Sequence, residues 1–306
     1  MTVSHEITVA APPDRVYALL ADAAGWPALF PPTVHAVVTP LSDGHERLQL
    51  WATANGAVKT WTSLRTLDPA ARRITFRQEV SAPPVASMGG EWHVSQAGDG
   101  RSRVVLTHTY SAIGDDPAGL AWIEEAVERN SGAELAALEA GALADPGIDF
   151  EFSDSVEFAG SARDAHAFIW DAQHWPARLP HVVSVDLSGE SDGEPAGVQR
   201  LRMETLAKDG SSHTTESIRV GLPGLRIVYK QTRPPALLTV HTGRWTFEER
   251  DGLVTATSQH RVVLRPAAIE QVLGAGKTVA DARTFVREAL GANSLATLRH
   301  VAGVTA

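Results

Sequence analysis

The sequence contains two copies of one pattern, and this internal repeat limits the folds that the chain can adopt. Residues 7–34 align with residues 156–183, so the copies are offset by 149 positions. The Trp-Pro pair at 26–27 then falls on the pair at 175–176. A period of about 150 residues is too long for a solenoid repeat and has the length of a whole domain. The pattern therefore predicts a duplicated domain.

A segment of small residues separates the two copies. Residues 140–147 read AGALADPG, which is the composition of a linker. The chain has 306 residues, enough for two domains of ordinary size. We therefore expect one domain over residues 1–146 and a second over residues 147–306.

Both copies have the same predicted order of secondary structure. An alternating strand comes first, then two short helices, then six further strand-like segments, and a long helix closes the copy. The closing helices are predicted over residues 117–143 and 266–301. Runs of strands with separate helices are typical of an α+β fold with an antiparallel sheet. A long helix across a curved sheet of this kind leaves room for an interior cavity.

The charge balance and the absence of cysteine exclude several classes of function. The formal net charge is −9, whereas a general nucleic-acid-binding protein needs a basic face. Without cysteine the chain has no disulfide, thiolate metal site or cysteine nucleophile. No apolar run reaches the ~18 residues of a membrane span, and the first residues lack the pattern of a secretory signal. We expect a cytoplasmic protein that binds neither nucleic acid nor membrane.

One predicted strand carries the candidate catalytic residues of the first copy. Residues 57–67 read AVKTWTSLRTL, and alternation places Trp61, Ser63 and Arg65 on one face. The opposite face is rich in threonine, so we expect the face with Trp61 to point inward. In the other register, Arg65 is a surface residue that lays its apolar stem along the protein.

The second copy repeats the Ser-x-Arg spacing at Ser217 and Arg219, with Thr215 in place of Trp61. An inward arginine requires partners, because an uncompensated buried charge is heavily penalised. Its guanidinium offers five donors in a fixed fork, which suits carbonyl, enolate or carboxylate oxygens of a ligand. Both Ser-x-Arg pairs are therefore candidates for catalysis.

Polar and aromatic residues recur at matching places beside the predicted cavity. Asn130 and Asn293 each interrupt an apolar stripe on a closing helix, where the amide either contacts a ligand or bonds locally. The first aromatic-proline segment holds Trp26 and Phe30, and its counterpart holds Trp175. Aromatic faces at a cavity rim suit a flat ligand, and the alternative is that they only fill the core.

The remaining motifs give weaker signals. The 12 histidines are scattered without a metal-binding pair, so no metal site is expected. No G-x-S-x-G nucleophile motif occurs. Four histidines are candidate acids or bases, the alternative for each being a strand or loop histidine with no role: His93, His108, His181 and His260.

These features together resemble the aromatase/cyclases of bacterial type II polyketide synthases. The resemblance rests on the W-x-S-x-R sequence at 61–65, the aromatic-proline segment at 26–31, and Asn130. Two such units in tandem resemble the di-domain members of that family. The resemblance implies two helix-grip domains of the START/Bet v 1-like type. Each would have a seven-stranded antiparallel sheet curved around a long C-terminal helix, with an interior cavity.

The resemblance also implies an activity and its partners. The activity is aldol cyclisation of a poly-β-ketone held on an acyl carrier protein, with first-ring closure between C7 and C12 and dehydration to an aromatic ring. Other synthase subunits are implied as partners, and no cofactor or metal is implied. Arg65 would polarise a ketide carbonyl and Ser63 would hydrogen-bond the chain or a water, with Arg219 and Ser217 as their counterparts. The implied substrate-binding residues are Trp26, Phe30, Trp61, Asn130, Trp175 and Asn293.

Two other functions are open on the sequence alone. The same fold can carry a lipid or a polyketide without chemistry, and such a carrier has an almost wholly apolar cavity. Alternatively, one or both domains stabilise a synthase complex and steer the growing chain. The Ser-x-Arg pair in both copies favours the enzyme over these two alternatives.

Overall fold

The chain forms two compact units, which are described separately. The computed structural model describes residues 1–42, 44–206 and 212–305. Contacts between Cα atoms divide the chain into Met1–Ala144 and Asp145–Ala306. This division lies two residues before the boundary predicted from the sequence. Among the described residues, none of the helices combines the length and the apolarity needed to span a bilayer.

The first unit is a seven-stranded antiparallel sheet with three helices. The sheet order is β1-β7-β6-β5-β4-β3-β2, so every neighbouring pair except β1–β7 is a hairpin of consecutive strands. The strands are β1 (Thr2–Val9), β2 (Thr33–Pro40), β3 (His45–Ala54), β4 (Ala57–Asp68), β5 (Arg73–Val80), β6 (Val85–Gln96) and β7 (Ser102–Ala112). The helices are α1 (Pro13–Ala21), α2 (Trp26–Leu29) and α3 (Pro117–Leu143).

Local sequence signals account for the main boundaries of this unit. The turn between β3 and β4 has positive φ at both Asn55 and Gly56, as a two-residue hairpin requires. Helix α3 begins at Pro117, and the side chain of Asp116 caps it by accepting a hydrogen bond from Gly119 N at 2.8 Å. The predicted bounds of this helix are confirmed.

The core of the first unit lies where α1 and α3 pack against the sheet. The apolar stripe of α3 is buried at Ile123 and Val127 and again at Leu135 and Leu138. Between these two buried stretches the stripe turns polar, and an interior cavity lies there. The largest fully buried apolar side chains of this unit include Leu20, Phe30, Leu48, Ile74, Leu106 and Leu138.

The second unit repeats this architecture. Its sheet order is β8-β14-β13-β12-β11-β10-β9, again antiparallel throughout. The strands are β8 (Asp149–Ala159), β9 (Val182–Ser188), β10 (Val198–Leu206), β11 (Ser212–Leu222), β12 (Arg226–Arg233), β13 (Leu238–Arg250) and β14 (Leu253–Leu264). The helices are α4 (Ala162–Trp170), α5 (Trp175–Arg178), α6 (Ile269–Leu273) and α7 (Val279–Thr305). The predicted α+β fold with two seven-stranded sheets is confirmed.

One predicted element of the second unit is wrong. The sequence predicts a single helix over residues 266–301, but α6 ends at Leu273 and α7 begins at Val279. The connection contains Gly274 and Gly276 with φ of 100° and 75°, a region that glycine adopts readily and a right-handed helix does not use. The new helix start is capped, because Thr278 Oγ1 accepts a hydrogen bond from the Asp281 backbone N at 3.3 Å.

Candidate active site

The first unit encloses two adjoining compartments beside α3. The outer compartment has a volume of about 130 Å³ and the inner one about 90 Å³. Their walls have residues in common, so the compartments adjoin, and we call the two together the first cavity. The shared residues are Trp26, Leu50, Trp61, Gln78, Met88, His108 and Glu134.

Arg65 lies in the inner compartment with 1% of its surface exposed. Its Nη2 donates hydrogen bonds to the carbonyl oxygens of Ala21 at 3.0 Å and Leu20 at 3.4 Å, at the C-terminal end of α1. That end carries the negative pole of the helix, which suits a cation. The guanidinium also lies 4.8 Å from the ring centroid of Trp26. The inward orientation predicted from strand alternation is therefore observed, and the surface alternative is wrong.

The charge of Arg65 is matched by Glu46 on the neighbouring strand. The two residues pair in register across β3 and β4, and Arg65 Nε lies 3.1 Å from Glu46 Oε1. Burial lowers the pKa of Arg65, and the negative charge of Glu46 opposes that shift. The buried Nη1 of Arg65 has no hydrogen-bond partner among the described residues. An unsatisfied buried donor is costly, so Nη1 is a ready partner for a ligand oxygen.

The other predicted residues of the first strand and the aromatic segment also line the cavity. Ser63 is buried on the same face as Arg65, in the inner compartment. Trp61 and Trp26 line both compartments, and Trp26 Nε1 has no hydrogen-bond partner among the described residues. Phe30 is 1% exposed and stacks on Trp92 with ring centroids 6.1 Å apart. Phe30 therefore forms part of the inner wall, not the predicted rim.

Asn130 lies in the outer compartment on α3. Its Nδ2 donates a hydrogen bond to the carbonyl oxygen of Thr53 at 3.0 Å, so the amide ties α3 to β3 beside the outer compartment. The partner is 77 residues away in the sequence, so the alternative of a local bond is wrong. The next residue, Ser131, is 1% exposed, and its Oγ has no hydrogen-bond partner among the described residues.

Two titratable side chains complete the first cavity. Glu134 lies on α3 one turn after Asn130 and lines both compartments, where burial raises its pKa to about 8. His108 on β7 also lines both, and burial lowers its pKa to about 4. At neutral pH the cavity therefore holds a protonated carboxylic acid and a neutral imidazole. His108 Nδ1 has no hydrogen-bond partner among the described residues.

The second unit has a cavity of about 150 Å³, which Ser217 and Arg219 line. Arg219 is 2% exposed, and burial lowers its pKa to about 9. Its Nη1 donates to Gln199 Oε1 at 2.8 Å and to the Trp170 carbonyl oxygen at 3.2 Å, and its Nη2 donates to the Ile169 carbonyl oxygen. Both terminal nitrogens of Arg219 thus bond to protein, whereas Arg65 keeps Nη1 unbonded.

The aromatic and amide counterparts in the second unit are placed differently. Trp175 is buried, lies 5.2 Å from the guanidinium of Arg219, and donates from Nε1 to the Phe168 carbonyl oxygen at 3.2 Å. Asn293 touches the cavity but is an exposed residue of α7. Its neighbour Ser294 is 4% exposed and is the more deeply placed polar group.

A cluster of hydrogen-bonding side chains lies in the wall of the second cavity. His241 Nε2 lies 2.9 Å from His260 Nδ1, and the Tyr229 hydroxyl lies 3.1 Å from the same His260 atom. On its other side, His260 Nε2 lies 2.7 Å from Ser294 Oγ and 3.1 Å from Ser258 Oγ. The sequence indicated only His260 as a candidate, because these residues come from three strands and a helix.

Known proteins share both the sequence and the tandem architecture of this chain. Residues 1–142 match the family described as polyketide cyclase / dehydrase and lipid transport. The actinorhodin polyketide synthase bifunctional cyclase/dehydratase of Streptomyces coelicolor is 50% identical over 311 residues, covering 98% of this chain and 95% of that protein. The chain belongs to the di-domain polyketide aromatase/cyclases. The resemblance inferred from the sequence is thereby confirmed.

Solved structures support the same assignment of this aromatase/cyclase. The di-domain aromatase/cyclase BexL from the BE-7585A biosynthetic pathway is 52% identical, with a TM-score of 0.88 and coverage of 100% of this chain and 98% of that one. StfQ from the steffimycin biosynthetic pathway is 32% identical, with a TM-score of 0.84 and coverage of 99% and 98%. The expectation that the chain is an enzyme of polyketide biosynthesis is confirmed.

The aromatase/cyclase therefore gathers its predicted site residues into two separate sets. The first cavity holds Trp26, Phe30, Trp61, Ser63, Arg65 and Asn130, and the second holds Trp175, Ser217, Arg219 and Asn293. Sequence reasoning missed Glu134 as a site residue, although it lies on the same helical stripe as Asn130. Among the described residues, no three or more His, Asp or Glu side chains come together as metal ligands.

Proposed function

We propose that the first cavity binds a poly-β-ketone carried by an acyl carrier protein and closes its first ring by an aldol reaction between C7 and C12, ahead of dehydration. The observation that carries this proposal is the unbonded Nη1 of Arg65, which is buried in a cavity beside a protonated acid and a neutral base. A lipid carrier would have an almost wholly apolar cavity. The wall of this cavity is polar at Arg65, Glu134 and His108, which favours an enzyme.

Arg65 is the group that we assign to the ketide carbonyl. A hydrogen bond from Nη1 strengthens as the carbonyl oxygen gains charge in an enolate or alkoxide. A donor fixed in this way typically contributes ~3–4 kcal/mol to the transition state. Glu46 and the Ala21 carbonyl hold the guanidinium in place, so little reorganisation accompanies the reaction. Ser63, two residues away on the same face, is placed to hydrogen-bond the chain or a water.

His108 and Glu134 supply the base and the acid of the proposed ring closure. The neutral imidazole removes a proton from the methylene between two carbonyls, and the resulting carbanion attacks the second carbonyl carbon. The carboxylic acid of Glu134 then protonates the new alkoxide, and return of the proton from the His108 imidazolium to the Glu134 carboxylate through water restores both groups. Such acid and base catalysis contributes about 10²–10⁴-fold. Both protonation states exist at neutral pH because of burial.

The aromatic wall governs which ring forms. Trp26, Trp61 and Phe30 present flat apolar surfaces to the cavity and leave limited room for the chain to bend. Holding two carbons in a reactive geometry contributes up to ~7–11 kcal/mol. We assign the acyl carrier protein and the other subunits of a type II polyketide synthase as partners. The names of the relatives, which place them in polyketide synthases, support this assignment.

Reconstitution with a minimal polyketide synthase tests this function. Arg65→Ala is compared with Arg103→Ala, an exposed arginine of the same sheet that pairs with Glu6. We expect Arg65→Ala to lower the yield of the C7–C12 product about 10²–10³-fold in favour of the shunt products of unassisted folding, and Arg103→Ala to leave it unchanged. An unchanged profile in folded Arg65→Ala would show that the first cavity carries or scaffolds the chain without catalysing closure.

A further inference from the structure

The histidines of the two cavities occupy the same position in their sheets. His108 pairs in register with Gly90 across β6 and β7, and His260 pairs with Gly243 across β13 and β14. Both glycines are required by close packing, because a Cβ at Gly243 would lie 2.4 Å from the Tyr229 hydroxyl and one at Gly90 would lie 2.0 Å from a backbone carbonyl oxygen. The two units therefore hold a histidine in the same frame.

The surroundings of that histidine differ between the units. Phe76, which pairs with the first glycine, corresponds to Tyr229, which pairs with the second. Met88, two residues before the first glycine, corresponds to His241. At these two positions the first unit has apolar side chains, and the second has groups that donate and accept protons.

A third apolar residue of the first unit is replaced by a polar one in the second unit, two residues before the histidine on the same strand. Leu106 pairs with Trp92, and Ser258 holds the corresponding place opposite Trp245. Together with Ser294, this serine holds the Nε2 side of His260 at 3.1 Å and 2.7 Å. His260 is therefore fixed from one side by two hydroxyl groups and faces His241 and Tyr229 on the other.

His241 uses one ring nitrogen for its contacts within the cluster, and its other ring nitrogen is buried. Its Nε2 faces His260 Nδ1 at 2.9 Å and the Tyr229 hydroxyl at 3.4 Å, while its buried Nδ1 has no hydrogen-bond partner among the described residues. His241, Tyr229 and His260 all line the second cavity. Burial lowers the pKa of His241 and of His260 and raises the pKa of Tyr229, so the imidazoles are neutral and the phenol is protonated at neutral pH.

We propose that His241 and Tyr229 form a dehydration site in the second cavity, which removes water from the β-hydroxy ketone formed by ring closure. His241 Nδ1 removes the proton next to the carbonyl, the carbon–carbon double bond forms, and the carbon–oxygen bond of the hydroxyl breaks. Tyr229 gives its proton to the departing hydroxyl, which leaves as water. His241 returns a proton from Nε2 to the tyrosine oxygen, and exchange of its Nδ1 proton with water restores the starting tautomer.

The geometry supports a closed path for that proton. His241 Nε2 and the Tyr229 oxygen are 3.4 Å apart, so the proton taken from carbon is replaced within the site. His260 Nδ1 accepts from the protonated His241 and stabilises its positive charge, which makes His260 a positioning residue. The place of the carboxylic acid Glu134 is taken by Thr297, four residues after Asn293 on α7. The second cavity therefore lacks the carboxylic acid that we assign to ring closure, and Tyr229 is the acid that we assign to dehydration.

This inference rests on the proposed function, because it takes the product of ring closure as its substrate. The test uses the full chain in the reconstituted synthase and replaces His241 and Tyr229 with the residues that the first unit has there, as His241→Met and Tyr229→Phe. Tyr229→Phe removes only a hydroxyl and keeps the shape of the ring. Gln259→Ala is the matched control, because Gln259 neighbours His260 but bonds outward to Glu151.

The readout is the ratio of cyclised product that retains its hydroxyl to aromatised product, which differ in mass by one water. We expect this ratio to rise by at least about 10²-fold in His241→Met and Tyr229→Phe, the lower end of acid or base contributions, with total C7–C12 product unchanged. Gln259→Ala keeps the wild-type ratio. Circular dichroism confirms that each variant is folded.

Two results would overturn the inference. An unchanged ratio in folded Tyr229→Phe and His241→Met would remove any role of these groups in dehydration. A higher ratio in Glu134→Gln, with none in the two second-unit variants, would place dehydration in the first cavity. Failure of the proposed function would give a different result: folded Arg65→Ala would keep the wild-type ring pattern, whereas the test of dehydration measures whether that ring has lost water.

Discussion

Glu46 lies directly opposite Arg65 in the register of β3 and β4, with Glu46 Oε1 3.1 Å from Arg65 Nε. The corresponding place opposite Arg219 holds Gln199, whose amide oxygen accepts a hydrogen bond at 2.8 Å. A neutral acceptor is thus sufficient where the guanidinium is otherwise bonded. The charged acceptor Glu46 lies opposite Arg65, whose Nη1 has no hydrogen-bond partner among the described residues.

The first prediction concerns this pair and the stability of the protein. Glu46→Ala leaves the buried Arg65 charge without its partner and is expected to lower the free energy of unfolding by about 3–5 kcal/mol. Glu46→Gln reproduces the arrangement at Gln199 and is expected to lower it by less than half of that amount. Urea denaturation measures both variants. Equal losses would mean that the charge of Glu46, and not its oxygen, holds the guanidinium.

A second prediction follows from the raised pKa of Glu134, which burial moves from 4.5 to about 8. The folded state holds this proton more tightly than the unfolded state. The stability that it contributes is therefore complete below pH 4.5 and is lost as the pH rises toward 8. Glu134→Gln cannot ionise, so its melting temperature relative to wild type is expected to rise by at least about 2 °C from acidic to mildly alkaline pH.

The same residue predicts the alkaline limit of the reaction. If Glu134 donates the proton, the rate of ring closure falls as the pH passes about 8. A pH–rate profile of the reconstituted enzyme measures this limb, and Glu134→Gln is expected to be slow at every pH. If Glu134→Gln keeps the wild-type rate below about pH 8, Glu134 is excluded as the acid.

The lowered pKa of His108 gives a prediction of opposite sign. Burial moves this pKa from 6.5 to about 4, so the folded state resists protonation. The corresponding stability is present above pH 6.5 and is lost as the pH falls toward 4. His108→Leu is therefore expected to lose less stability than wild type over that range. Thermal melts at a series of pH values measure the difference, and parallel curves for the two proteins would contradict it.

A fifth prediction compares two glycines of the first unit. A Cβ at Gly90 would lie 2.0 Å from the Thr107 carbonyl oxygen, whereas one at Gly132 on α3 would meet nothing within 4 Å. Gly90→Ala is expected to lower the free energy of unfolding by at least about 1–3 kcal/mol through overpacking. Gly132→Ala is expected to raise it by up to about 1 kcal/mol through helix propensity. Denaturation of both variants tests the comparison, and equal effects would contradict it.

The fold could be predicted from the sequence because most strands pair with their neighbours along the chain and because the same order of elements occurs in both copies. Both sheets consist mainly of hairpins between consecutive strands, and the repeat shows the same order of elements in each copy. The break between α6 and α7 was not predicted, because the apolar spacing continues across residues 266–301. Only the positive φ of Gly274 and Gly276 separates the two helices.

The first site was predictable to the extent that it lies on single elements. Strict alternation along β4 places Ser63 and Arg65 on one face, and only the direction of that face had to be inferred. Glu134 was missed because a carboxylate on a long helix is ordinarily solvated. The role that we propose for it depends on burial, which a sequence does not state.

The second site required knowledge of the strand register. Tyr229, His241 and His260 lie on three strands, and a shift of one residue in any of them would turn its side chain to the other face. No spacing along the chain relates them. The comparison with Phe76 and Met88 becomes available only when both sheets are aligned through their paired glycines.

The presence of both sheets in one chain also fixes the ratio of the two cavities. Both are translated from one reading frame, so the two cavities are always made in equal number. Stoichiometry is then fixed at synthesis and is independent of the expression of a second gene. Two copies that diverge within one chain therefore keep a constant ratio of one to one.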